Sequence, residues 1–138
     1  MDQLFLNEWL YTAGVYSLTV MMIIVSLSIF EMVSSYKTWD EMKKGNVAVA
    51  LSISGKIFGI ANVFRHSISA NDSILVMLLW GAYGFVLLLF VYFIFEFLTP
   101  AFSVDQELAR DNRAIGVVSF ILSISLSYII GSSILLFQ

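Results

Sequence analysis

Residues Ile74–Leu98 read ILVMLLWGAYGFVLLLFVYFIFEFL, a run of twenty-five positions whose one charge is Glu96. A helix needs about 20 residues to cross a hydrocarbon core of about 30 Å. Three more stretches of similar length flank this one: Leu10–Val33, Val47–Phe64 and Ala114–Phe137. Backbone groups in lipid must bond within their own segment or in a closed barrel. Barrel strands are alternating segments of about 10 residues, half the length of these runs. Ser123, Ser125 and Ser127 alternate with apolar residues as a strand would, but the apolar run around them is too long for one strand. The expected fold class is therefore an all-α membrane protein with four transmembrane helices. Composition agrees: 138 residues, 59% apolar, 12% charged, with mean hydropathy +0.90. Soluble chains carry about 45–50% apolar and about 25% charged residues. With no Cys and one Pro, a disulfide scaffold, a thiol enzyme and a Cys-based metal site are excluded.

The first span has no basic leader and no small-x-small cleavage site, and it carries Asp2 and Glu8 before it; it is expected to stay in the mature chain. The loops Ser34–Gly45 and Thr99–Arg113 hold Lys37, Lys43, Lys44, Arg110 and Arg113, whereas the loop Ser67–Ser73 is flanked only by Arg65. Basic residues mark the cytoplasmic face, so the first and third loops are expected in the cytoplasm and both termini outside. Trp9 and Tyr11 at one face, Tyr36 and Trp39 at the other, fit interfacial anchors. Little chain is left for a soluble catalytic or binding domain.

The chain repeats itself. Phe30-Glu31-Met32, Thr38-Trp39-Asp40-Glu41 and Asn46-Val47-Ala48 recur as Phe95-Glu96-Phe97, Ser103-Val104-Asp105-Gln106 and Asn112-Arg113-Ala114, at offsets of 65, 65 and 66. Two hairpins are expected: residues 1–66, with helices about 10–33 and 46–66, and residues 67–138, with helices about 74–98 and 113–137. Both copies enter the membrane in the same direction, so a pseudo-twofold axis should lie along the membrane normal. Thr38-x-x-Glu41 and Ser103-x-x-Gln106 have the form of capping boxes, which would start a short interfacial helix in each loop. Trp39, Met42, Val104 and Leu108 would seat these helices at the membrane surface. Asn46 and Asn112 are placed to cap the second helix of each hairpin.

These motifs, with Thr99-Pro100 in the second loop where the first has Ser34-Ser35, resemble the YjfL-type bacterial membrane proteins, a family with a tandem domain of unknown function. The likeness covers nearly the whole chain. It implies a small protein of the bacterial inner membrane with no assigned activity and no cofactor.

Three sets of residues could carry function. Lys56 lies ten positions past Asn46, about 15 Å along a helix and near the bilayer midplane. An ammonium at that depth costs roughly 2.5–3.5 kcal/mol on insertion scales and faces protein or water. It reads as an anion site or pathway, or as a structural ion pair or snorkelling side chain; Leu122 is its repeat-mate. Glu31 and Glu96 share one depth. They read as a cation-binding vestibule or, preferably, as acceptors for loop N–H groups and the Asn side chains. The third set is a row of small and polar residues, Ala48, Ser52, Gly55, Gly59 and Asn62, leading on to His66, with a second row in Gly116, Ser119, Ser123 and Ser127. Such rows let helices approach closely. They place these two helices at the centre and turn the aromatic third helix, with Phe85, Phe90 and Phe93, toward lipid.

A lone His66 beside Arg65 makes a poor metal site, so no metal is expected. No nucleophile–base pair or nucleotide loop appears, so the chain is not expected to be an enzyme. Lys43 and Lys44 suit topology and anionic headgroups rather than nucleic acid. The expected function is a homo-oligomerising membrane scaffold that recruits a membrane or cytoplasmic protein partner. The alternative is an oligomeric ion or small-solute channel using Lys56 and the Glu31/Glu96 pair.

Overall fold

The computed structural model describes residues 2–98, 101 and 103–136. These form six helices in the order long, short, long, twice over: α1 (Asp2–Val33), α2 (Thr38–Lys43), α3 (Val47–Ala70), α4 (Ile74–Leu98), α5 (Val104–Ala109) and α6 (Arg113–Leu135). The four long helices are each long and apolar enough to cross a membrane. Among the described residues there is no strand, and Ser123, Ser125 and Ser127 lie on α6. The Thr99-Pro100 pair and Phe137 lie outside the described residues.

Two long helices exceed their expected bounds. No Gly or Pro interrupts residues 2–10, so α1 begins at Asp2. Arg65 and His66 end the apolar run but do not end a helix, and α3 continues to Ala70. Asn71 Nδ2 then closes the last turn by donating to Ser67 O at 2.9 Å. The turn between the two halves is therefore the short segment 71–73.

The short helices end alike. Gly45 N donates to Met42 O at 3.0 Å and Asn46 N to Glu41 O at 3.1 Å; Asp111 N donates to Leu108 O at 3.0 Å and Asn112 N to Glu107 O at 2.9 Å. This is the paired bonding of a Schellman ending, which needs a left-handed residue after the helix. Gly45 (φ 81) and Asp111 (φ 59) supply it. The following Asn then caps the next long helix: Asn46 Oδ1 accepts from Val49 N at 3.0 Å and Asn112 Oδ1 from Ile115 N at 3.5 Å.

The starts of the short helices correct the capping-box expectation. Ser103 is the N-cap of α5 and its Oγ accepts from Gln106 N at 3.4 Å. Thr38 is instead the first residue inside α2, whose N-cap Lys37 makes no side-chain cap. The repeat offset changes from 65 to 66 between these positions, which puts Thr38 and Ser103 in different places relative to their helices. Glu41 consequently pairs with Glu107 rather than with Gln106, and both glutamates accept from the capping Asn side chains, at 3.2 and 2.8 Å.

Helices α3 and α6 pack along their whole length through the two small-residue rows. A Cβ on Gly55 would lie 2.7 Å from Phe120 Cα, one on Gly59 3.0 Å from Ser123 O, and one on Gly116 2.8 Å from Ala48 Cα. Ser52 Oγ meets Ser119 Oγ at 3.1 Å, and Asn62 Nδ2 donates to Ser127 Oγ at 3.0 Å. Gly55 and Gly59 thus face a helix of their own chain. The apolar stretch of α3 is 56% buried, against 11% for α1.

Three further expectations are corrected. Phe85 is buried with Phe30, Phe64 and Leu88, while Phe90 and Phe93 are exposed. Tyr36 is buried with Ala48, Val49, Val104 and Leu108, so it is no interfacial anchor. Val104 and Leu108 turn into that cluster instead of toward lipid, because α5 lies over the start of α3; Trp39 on α2 is exposed.

Backbone contact at the seam makes added volume costly. Gly55→Ala and Gly116→Ala should each destabilise the folded protein by about 1–3 kcal/mol, the usual cost of overpacking. Gly14→Ala, where a Cβ would meet nothing within 4 Å, should be neutral or slightly stabilising. Thermal unfolding of the purified variants in one detergent checks the ranking.

Candidate functional site

Lys56 sits inside the bundle, 5% exposed. Its Nζ lies 4.9 Å from the centroid of the Phe30 ring and 4.7 Å from that of Tyr92. Ring faces attract a desolvated cation by roughly 2 kcal/mol or more, which offsets part of the cost of burial. Phe30 and Tyr92 also meet edge to face at 5.7 Å, so α1 and α4 hold the two rings as one cage for the α3 ammonium. Among the described residues no carboxylate stands within ion-pair distance of Lys56. Asp105 and Glu31 are the acids whose charge reaches it.

From the cage a polar column runs to the loop layer. Tyr92 donates its hydroxyl to Asp105 Oδ1 at 2.5 Å, and Asp105 Oδ2 accepts from Ser35 N at 2.8 Å. Asp105 is 5% exposed; its two oxygens join α4, α5 and the first loop. A phenol that donates to a carboxylate is enriched in electrons, which strengthens its ring as a partner for Lys56. Burial, with the charge of Asp105 second, pushes the neighbouring Tyr36 phenol up to about 12.

Glu31 and Glu96 are each bound to their own loop. Glu31 accepts from Thr38 N at 2.9 Å and from the Thr38 hydroxyl. Glu96 accepts from Ser103 Oγ at 2.8 Å and from Asp105 N at 3.3 Å. Their positions match across the repeat, and both tie the end of a long helix to the start of a short one.

The cap residues form a second layer that crosses the repeat. Asn46 Nδ2 donates to Leu108 O at 2.8 Å and Ala109 O at 3.2 Å, satisfying carbonyls at the end of α5. Asp111 Oδ1 accepts from Ala48 N at 2.9 Å, so the turn after α5 returns a cap to α3. Asn46 and Lys44 hold the Glu41 carboxyl below the usual carboxylate range, the Asn46 amide being the larger cause.

Beside Lys56 is a cavity of about 40 Å³, with Ser119, Leu122 and Ser123 of α6 on its far wall. His66 is remote from it: its Nδ1 lies 2.8 Å from Asn62 O and its ring packs edge-on against Tyr128. Among the described residues no group of three metal-ligating side chains converges.

This arrangement of four spans and two loop helices can be set beside known proteins. The family model described as Domain of Unknown Function (DUF350) matches residues 3–134. The chain belongs to this family. It is 53% identical over 128 residues to the UPF0719 transmembrane protein YshE of Bacillus subtilis (strain 168), an overlap that covers 93% of this chain and 96% of that protein. No solved structure matches. The chain is thus a multi-pass membrane protein of a family whose activity is not characterised.

Asp105 and Tyr92 were not singled out from sequence. Asp105 reads as the mate of exposed Asp40 at an offset of 65, but in the register of the short helices, 66, its mate is Trp39. Tyr92 is one of several aromatics on α4, and its contacts with Asp105, Lys56 and Phe30 distinguish it only in the fold.

The extra bonds of Asn46 rank the two caps. Asn46→Ala should destabilise the protein by about 2–3 kcal/mol: about 1 for the cap, and the remainder for the lost bonds to Leu108 O, which keeps only Asp111 N, and to Ala109 O. Asn112→Ala should cost only about 1 kcal/mol. Equal effects in denaturant or thermal unfolding would show that the bonds to Leu108 and Ala109 contribute nothing.

Proposed function

We propose that this chain is a scaffold of the bacterial cytoplasmic membrane, close in kind to the YjfL-type proteins, which captures a protein partner at α2. In this reading α2 and α5 face the cytoplasm, where Lys37, Lys43, Lys44, Arg110 and Arg113 satisfy the positive-inside rule, and both termini face outward. The single observation that carries the choice of scaffold over channel is the closed seam between α3 and α6. It runs from Ala48 against Gly116 to Gly131 against the ring of His66, with a Cβ on either glycine meeting atoms within 2.8 Å. A route between α3 and α6 has no room.

A route between chains finds little support either. Lys56 is enclosed by rings from α1 and α4, and Glu31 and Glu96 hold loop donors. Of the residues a channel would use, Lys56 is buried in the chain and both carboxylates are engaged by the loops. Self-association falls to the exposed faces of α1 and α4, since the Gly55/Gly59 row is already occupied.

What remains presented is α2. Trp39 is 68% exposed, while α5 buries Val104, Asp105 and Leu108. One short helix is locked and the other offers an aromatic side chain flanked by Lys37 and Asp40, the mixed apolar and charged character of a recognition surface.

Ion flux into sealed proteoliposomes tests the choice. Folded, inserted wild type should pass no more ion than protein-free vesicles. Flux that is present in wild type and altered by Glu31→Gln/Glu96→Gln would make this a channel. A photo-cross-linker placed at position 39 should give a discrete protein adduct in native membranes, and adducts to lipid alone would remove the scaffold reading.

A further inference from the structure

We infer that the cavity beside Lys56 is a binding site for one small monovalent anion of the chloride class, held near the middle of the bilayer. The inference is independent of the scaffold reading. The ammonium is nine-tenths buried and lines the cavity. Its two ring contacts come from Phe30 and Tyr92, and its ammonium has no hydrogen-bond acceptor among the described residues. An ammonium has three donors and no acceptor, and a buried cation lacking close counter-charge is unfavourable unless something supplies it.

The nearest acids do not fill that role. Asp105 spends its oxygens on Tyr92 and Ser35 N, and Glu31 spends its oxygens on Thr38. The opposite wall offers donors. Ser123 lines the cavity, and unlike Ser127 and Ser133 of the same helix, which bond back to Ile124 O and Ile129 O, its hydroxyl has no partner among the described residues. Ser119 shares one hydrogen bond with Ser52; when Ser52 donates, the Ser119 proton is left for the cavity. Donors on both sides of the space, one of them charged, with the apolar wall of Leu122 between, specify an anion rather than a cation.

Size narrows the class. A water needs about 10–15 Å³ of such space, so the cavity of about 40 Å³ admits a few waters or one halide. An anion the size of gluconate is several times larger than a halide and would not fit. The closed seam beside it makes this a held ion, not a conducted one.

The test is thermal unfolding of the whole purified protein in detergent, titrating chloride against gluconate at constant ionic strength. Wild type should gain stability saturably with chloride and bromide. Ser123→Ala, which removes one charge-assisted bond, should raise the chloride midpoint about tenfold. Lys56→Met should abolish the response. Should that variant fail to fold, Leu122→Phe, which fills the cavity and leaves every cage residue in place, should abolish it instead. A response absent in wild type overturns the site and leaves water as its occupant. An equal response in wild type, Ser123→Ala and Leu122→Phe overturns it as a general salt effect.

Discussion

The close approach of α3 and α6 is the constraint on which the rest of the molecule depends. In lipid, helices gain nothing by hiding apolar surface from one another, so association rests on dispersion contacts and interhelical hydrogen bonds. Both are strongest where backbones touch. Gly55 and Gly116 allow that touch, and the Ser52–Ser119 and Asn62–Ser127 bonds lock its register. Helix α4 is added by inserting Phe64 and Val63 of α3 against Gly81 and Gly84, where a Cβ would collide with those side chains at 2.2 and 2.3 Å. Helix α1 has no comparable row. It is held by Phe30 in the core, by Glu31 at the loop end, and by Tyr11, which donates to Asp72 O at 2.9 Å, at the other.

Much of this was legible in sequence because membrane helices are simple to read. Length and apolarity locate four spans, and the small-residue rows mark the two helices that meet. The Asn caps were legible too, since a side chain that can bond the free N–H groups of a helix start has few other reasons to precede an apolar run. The site was legible only in part. Lys56 stands out by its depth, but what surrounds it depends on which aromatic of α1 and α4 turns inward, and a helix that is apolar on every side does not say. Phe85 turns inward against expectation for the same reason, whereas Tyr36 does so because its loop folds over the start of α3. The periodicity that assigns faces in soluble helices is weak when the outside is as apolar as the core.

The short helices failed to read correctly for a different reason. Matching Thr38 with Ser103 and Glu41 with Gln106 assumes one offset throughout the loop, whereas an extra residue in the second copy shifts it. Thr38 and Ser103 still bond the same carboxylates, Glu31 and Glu96, so the constraint from α1 and α4 is conserved in space while the helix start moves by one position. That single step turns Asp105 inward, where Trp39 of the first copy points out.

The two copies therefore share what folds the protein and differ in what lies inside it. The Asn caps, the Schellman endings and the carboxylate ties occur in both. The polar column does not: at the repeat offsets, the mate of Lys56 is Leu122, the mate of Tyr92 is Leu27, and the mate of Asp105 in helix register is Trp39. A feature needed only to pack a hairpin would be useful to either copy, and apolar mates already fill that need at lower desolvation cost. The column joins residues of both halves across α3, α4 and α5, so neither hairpin could build it alone. One half thus brings a buried ammonium to the contact of α3 and α6, and the other brings Ser123, whose hydroxyl has no partner among the described residues.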